Sequence, residues 1–312
     1  WLAFLLHRRL RERRPRWSSP ASRSVVEARI RGCAWALSDL SALELLPHGL
    51  LFVYKQHDLQ LDRPAEPVTL QTQLCARYPE LRDGSTAHGF RLIHQLDCAT
   101  SGVLAVGLNK KAAARGARLF AERKAVKNYL ALVHGHVAWD RMTCSRTIGG
   151  DPTDPTGFRM AIDGTPGKHS GPSHTELSVV CRGQMPDGRP VTKLLLRPHT
   201  GRRHQLRLHC LCLGHPVVGD LAYTGDARSP RLMLHAWILR MPFEPPVGTI
   251  TVETSDPFSV EAPGLFSVEA SGRGHFPVEE VGESSASAAG LVGLELAPGD
   301  PAPATATAGW DV

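Results

Sequence analysis

The apolar residues of this chain come in short runs, and run length limits what the chain can build. Leu50–Tyr54, Val103–Leu108, Val126–Val133, Val191–Leu196 and Arg231–Met241 read as strands, with Gly, Pro, Asn or Asp nearby. Phe90, Leu92 and His94 alternate with Arg91 and Ile93, which extends a further strand to Asp97. No run approaches the ~18 apolar residues needed to span a bilayer. Between the strands lie helical patterns. Leu70, Leu74 and Tyr78 recur every four residues, so Val68–Leu81 reads as a helix. Asn109 is a good N-cap for an Ala-rich helix over Lys110–Glu122, in which Gly116 costs about 1 kcal/mol. A third helix is expected over Arg202–Leu213, with Gly214 placed for a left-handed C-cap and Pro216 beyond it. Asp151–His174, dense in Gly, Pro and Asp, reads as a loop.

The two ends differ from this body. After Pro257 the chain is rich in Gly, Ala, Pro, Ser and Glu and repeats Phe-Ser-Val-Glu-Ala at Phe258–Ala262 and Phe266–Ala270. Such composition buries too little apolar surface to offset chain entropy, so 257–312 reads as a disordered tail. Charge divides along the same lines. Residues 1–31 carry nine Arg and two Glu, net +7; residues 32–255 carry 26 basic and 19 acidic side chains, net +7; residues 256–312 carry nine acids and one Arg, net −8. The overall +6 thus conceals a basic body, which suits an anionic partner such as nucleic acid. The domains expected are an Arg-rich extension (1–47), a single folded domain (48–256) and the tail (257–312).

The chain starts at Trp1, so the true start is expected to be missing. Its Arg-rich, Ser-containing, acid-poor leader suits a mitochondrial transit peptide as well as a solvated extension. The seven Cys are odd in number and irregularly spaced, which argues for a reducing compartment over a disulfide framework. The location expected is intracellular, with cytoplasm, nucleus and mitochondrion all open.

Three segments could carry chemistry. Asp97 lies in a tight bend, Ile93-His-Gln-Leu-Asp-Cys-Ala-Thr-Ser-Gly102, between two apolar strands. A carboxylate there suits a nucleophile or general base, or equally an Asx turn capping the Ala99 or Thr100 amide. Arg202, Arg203 and Arg207 gather at one helix start, where Arg203 and Arg207 would share a face and hold a phosphate or carboxylate, or simply meet solvent. Tyr129 shares a strand face with Lys127, and a planar ring beside a cation can stack on a base or belong to the core. His204, His209, Cys210, Cys212 and His215 are zinc-ligand types, but their spacing gives no two ligand pairs and spreads them over several helix faces. Gly164-Thr-Pro-Gly167-Lys168 lacks the spacing, the following Ser or Thr and the preceding strand of a phosphate loop.

These segments, in this order, resemble the RluA-type pseudouridine synthase family: His94–Gly102, Lys127–Tyr129 and Thr200–His209, with Gly214–Asp220 plus Tyr223 and Leu234–Ala236 as further matching blocks. The resemblance covers about residues 49–256. It implies an α/β (α+β) fold with a curved, mostly antiparallel mixed sheet flanked by helices around a central RNA-binding cleft. It also implies that Asp97 attacks the target nucleoside, that Tyr129 packs on the target base and that Arg207 pairs with the carboxylate. Arg202 and Gln95 would join the substrate contacts. Pseudouridine formation breaks N1–C1′ of uridine, rejoins the base through C5 and releases the C5 proton. It needs no redox change or external group, so no cofactor or metal is expected. The partner is RNA, with no membrane, and the chain is expected to be a monomer. A buried Asp needs a nearby cation to stay ionised, and reaching a base within folded RNA requires flipping it out at a few kcal/mol. Gln95 stands where the family has an arginine thought to fill the space of the flipped nucleotide. That departure leaves a second reading, a catalytically inactive RNA-binding relative.

Overall fold

The short apolar runs do form strands, and their pairing explains why the chain needs so many. The computed structural model describes residues 36–258, apart from 37–38, 47, 64–65, 87–88 and 168, together with the backbone of Ser267–Val268 and Glu295–Leu296. The Arg-rich start and most of the acidic tail therefore lie outside the described residues. The elements are β1 (Ser41–Leu46), β2 (Leu50–Lys55), α1 (Leu70–Arg77), β3 (Arg91–Leu92), β4 (Ser101–Gly107), α2 (Lys110–Ala121), β5 (Val126–His134), β6 (Arg141–Gly150), β7 (Met160–Ile162), β8 (Gly171–Gln184), β9 (Pro190–Pro198), α3 (Gln205–Cys212), β10 (Leu234–Pro242) and β11 (Thr249–Glu253). The main path through the sheet runs β1-β2-β4-β10-β5-β9-β8-β6. Along that path every junction is antiparallel except β4–β10, which is parallel and only two pairs long, His235↔Ser101 and Ala236↔Gly102. Among the described residues no helix is long and apolar enough to cross a membrane.

That short junction divides the core. On one side Leu50–Val53, Val103–Val106, Leu70, Leu74 and Leu119 pack together; on the other Leu130–Val133, Leu177, Leu194, Leu196, Leu206 and Cys210 do. Tyr129 packs against both clusters, so it lies on the seam. Beyond Ala236 the β4 edge of β10 is taken over by β11, and the β10–β5 register shifts between Ala236 and Ile238. A bulge of this kind bends a strand and increases its twist, which suits a curved sheet that opens at the seam.

Several elements differ from the sequence expectation, each for a local reason. The strand over Phe90–Asp97 shrinks to Arg91–Leu92 because, after Ile93, the His94 ring replaces the backbone: its Nε2 accepts the Ala105 amide at 3.1 Å. The first helix begins at Leu70 because Thr69 caps it, accepting from the Thr72 amide at 3.1 Å, and it ends before Pro79. Asn109 does cap α2, accepting from the Ala112 amide at 2.9 Å. Gly116 has a packing reason, since a Cβ there would meet Ile93 at 2.7 Å. The loop expected over 151–174 contains β7 and the start of β8. Strands β6 and β8 escape an apolar count because polar residues interrupt their buried positions, Arg146 in β6 and Ser173 and Thr175 in β8. Ser173 and Thr175 of β8 point at α3, where they bond the two ring nitrogens of His209 at 2.8 and 2.9 Å.

Candidate active site

The site is assembled on the seam from three elements of the sheet and one helix. Asp97 follows β3 in a turn closed by the backbone, the Thr100 amide donating to the Asp97 carbonyl at 3.1 Å. The Asx-turn reading is therefore not what closes the bend. Lys55, at the end of β2 and fully buried, ties the same turn down by donating at 2.8 Å to each of the Gln56, Cys98 and Thr100 carbonyls. Burial lowers its pKa to about 8 against the attraction of Cys98, Asp58 and Asp97, so it remains a cation at neutral pH.

Arg207 approaches Asp97 from α3. Its Nη1 lies 3.8 Å from Asp97 Oδ2, while its Nε and Nη2 grip Asp220 at 2.8 and 2.6 Å. Asp220 is thus the closer, bidentate partner and Asp97 the more distant one. Burial disfavours the charge on Arg207, but the Asp220 and then Asp97 carboxylates outweigh it and raise its pKa. The guanidinium also stands 4.8 Å from the centroid of the Tyr223 ring. The expected pairing of Arg203 with Arg207 on one helix face fails. The helix starts at Gln205, after His204 in a left-handed conformation (φ 58°), so Arg203 precedes it. Arg203 instead covers the Phe158 ring at 5.0 Å. Arg202 and exposed Gln95 both line the cleft beside Asp97.

Two residues that the sequence reading did not place at the site complete it. His204 Nε2 lies 4.0 Å from Asp97 Oδ1, and its Nδ1 is 2.7 Å from the Tyr223 hydroxyl. That hydroxyl oxygen accepts from the Met160 amide at 3.0 Å. Burial lowers the His204 pKa to about 4, against the attraction of Asp97, so the ring is neutral at pH 7. Where the Tyr223 hydroxyl donates to Nδ1, the ring's own hydrogen stands on Nε2, the nitrogen that faces Asp97. Motif membership alone could have drawn attention to His204 and Tyr223, but nothing in the local sequence couples them.

Asp97, Arg207, His204, Tyr129, Lys127 and Gln95 line a cavity of about 550 Å³, within the range of small-molecule and nucleoside-sized sites. Its back wall includes His94, whose ring stacks on Phe120 at 4.6 Å and 17°. Tyr129 is half-buried, and burial together with Asp97 raises its hydroxyl pKa. Lys127 donates to the Thr200 carbonyl at 3.1 Å, and burial lowers its pKa to about 8. The histidines of zinc-ligand type have other partners: His209 is bonded to Ser173 and Thr175, His215 to the His134 carbonyl at 2.9 Å, and His204 to Tyr223. The ligand-type atoms that do cluster among the described residues are those of His174, Glu176 and His199, where His199 bonds Glu176 at 2.7 Å.

An aspartate, a cation and an aromatic ring thus line one cleft on the seam of the sheet. Residues 49–211 match the RNA pseudouridylate synthase family, and the chain belongs to it. RNA pseudouridylate synthase domain-containing protein 1 of Bos taurus is 49% identical over 218 residues, 68% of this chain and 70% of that protein. The dual-specificity RNA pseudouridine synthase RluA of Escherichia coli (strain K12) is 40% identical over 197 residues, 62% of this chain and 78% of that protein. The structure of human RNA pseudouridylate synthase domain containing 1 superimposes with a TM-score of 0.66 at 39% identity, covering 79% of this chain and 94% of that one.

Proposed function

We propose that the chain isomerises uridines in RNA to pseudouridine, with Asp97 as the carboxylate that acts on the ribose. The observation that carries the reading is the convergence of Asp97, Arg207 and Tyr129 on one cavity. In this mechanism the target uridine is flipped into the cavity and packs on Tyr129. Asp97 attacks C1′ as N1–C1′ breaks, and uracil leaves as an anion. The base turns, C5 bonds to C1′ as the Asp97–C1′ bond breaks and frees the carboxylate, the C5 proton is lost and N1 gains one, so atoms and electrons balance without an oxidant or a cofactor. Arg207, held by Asp220, supplies a fixed cation beside Asp97. Neutral His204, held by Tyr223, turns its Nε2 toward the same carboxylate. Preorganised groups of this kind cost no reorganisation during the reaction.

The test uses cellular RNA carrying tritium at uridine C5. The wild-type chain releases tritium and Asp97→Ala does not. Release that persists in Asp97→Ala removes Asp97 from its role. Wild-type protein that binds RNA but releases nothing from any cellular RNA pool is the inactive RNA-binding relative that Gln95 suggests.

A further inference from the structure

We propose that a second cavity, sharing Asp97 with the first, receives the base of the nucleotide adjacent to the target uridine, stacked on the Phe158–Arg203 pair. This rests on the reading of the site as one acting on uridine within RNA and specifies how that RNA is held. The cavity measures about 510 Å³ and shares Gln95, Asp97, Arg202 and Arg207 with the first, but its own wall is formed by Phe158, Arg203, Asp58 and Asp62. A volume of that order accommodates one nucleobase with its ribose.

Phe158 is the aromatic part of that wall. It is half-buried and lines the cavity beside Arg203. The chain fixes its position. Asp154 accepts from the Thr156 amide at 2.9 Å, the Thr156 hydroxyl at 2.6 Å and the Arg159 amide at 2.6 Å. The Asp151 amide closes the base of the loop on the Arg159 carbonyl at 3.1 Å. The ring meets His204 edge-on at 5.1 Å and 61°, one residue away from Asp97. Arg203 lies 5.0 Å from its centroid and donates to the Gly157 carbonyl at 3.3 Å. Aromatic rings and guanidinium planes are the surfaces on which unstacked bases are held. Asp58, 3.0 Å from His57 Nδ1, and Asp62 stand in the same wall beside Arg202, Arg203 and Arg207. Phosphates on either side of that base would be left to Arg202 and Arg203.

The test is a binding cycle that does not depend on turnover. The full chain carrying Asp97→Asn is titrated with fluorescein-labelled single-stranded RNA nonamers containing one central uridine, and with nonamers abasic at the position before or after it. One abasic nonamer is expected to bind about 5- to 150-fold more weakly than the intact one, the span of ~1–3 kcal/mol per stacked base at 1.4 kcal/mol per factor of ten. Phe158→Ala reduces that difference to within about twofold, the margin of additivity, while Phe158→Trp retains it and shows that loss of the ring, not of the loop, is responsible. Equal affinity for intact and abasic nonamers, or an unchanged difference in Phe158→Ala, overturns the proposal. Tritium release by the wild-type chain is measured separately, so a protein without isomerase activity and a protein without this subsite give different results.

Discussion

Two aspartates flank the Arg207 guanidinium, and the same chemical change in each should give opposite outcomes. Asp220 has 2% of its side-chain surface exposed and binds Arg207 through two oxygens at 2.8 and 2.6 Å; it also accepts from the Ala222 and Tyr223 amides at 3.1 and 3.2 Å. Asp220→Asn removes the charge that balances a guanidinium only 5% exposed, and breaking a buried pair from one side costs about 3–5 kcal/mol. For a folded body of this size each kcal/mol lowers Tm by about 2–4 °C, so a fall of about 6–20 °C is expected. Asp97 is 26% exposed and stands 3.8 Å from the same guanidinium. Its pairing is of the open kind, worth about 0–1 kcal/mol, and Asp220 remains to neutralise Arg207 when it is lost. Asp97→Asn should therefore leave Tm within about 4 °C while ending tritium release. Thermal unfolding followed by circular dichroism, beside the release assay, reads both. A fall in Tm for Asp97→Asn matching that for Asp220→Asn, or an Asp220→Asn protein as stable as wild type, would refute the division of labour.

Tyr223→Phe leaves the Met160 amide and His204 Nδ1 without the hydroxyl they share, which should cost about 1–3 kcal/mol. It should also lower kcat more than it raises KM, as steady-state tritium release would show. Lys55→Met leaves three buried carbonyls around the Asp97 turn unpaired; about 2 kcal/mol or more of stability and most of the activity should go with it, measured by urea unfolding and release. Acid should destabilise the fold through its buried histidines. Burial lowers the pKa of His204 to about 4 and those of His209 and His235 to about 3. The unfolded imidazoles bind protons near pH 6.5 and the folded ones do not until near pH 4 or below. The histidine contribution is then flat above pH 6.5 and falls as pH drops from there toward 4, by up to about 1.4 kcal/mol per pH unit for each histidine. Urea midpoints at pH 7 and pH 5 that coincide would contradict this.

The strands that sequence made legible are those with unbroken apolar character. β2, β4, β5 and β9 were readable from Leu50, Val103, Val126 and Val191 onward because each is buried along most of its length. What escaped was structure held by polar groups. β8 alternates buried and half-buried residues through its length, but Ser173 and Thr175 take inward positions that an apolar count ignores. The start of α3 depended on a left-handed backbone at His204, a conformation uncommon outside glycine, so an ordinary helix pattern ran three residues too far. The roles of the candidate site residues came into view unevenly for the same reason. Asp97, Tyr129 and Arg207 stand in recognisable blocks, and so do His204, Asp220 and Tyr223, but the partners of these last three, and the role of Lys55, come from contacts that only the fold brings together.

The block that contains Asp97 also shows that an ordered motif need not be chemical throughout. Ser101 and Gly102 form both pairs of the parallel β4–β10 junction, opposite His235 and Ala236. Gly102 has φ 120°, and a Cβ on it would lie 2.1 Å from the Ala236 carbonyl oxygen, which belongs to backbone and cannot move aside. Ser101 is fully buried and bonds His235 Nδ1 at 2.7 Å, while His235 Nε2 reaches Thr254 at 2.6 Å. These residues hold one half of the sheet to the other. The Asp97 turn belongs to one half, through Lys55 and β4, whereas Arg207 and Asp220 belong to the other. The β4–β10 junction is thus one of the links between carboxylate and guanidinium, and the small residue next to the serine has a reason in the close approach of the Ala236 backbone.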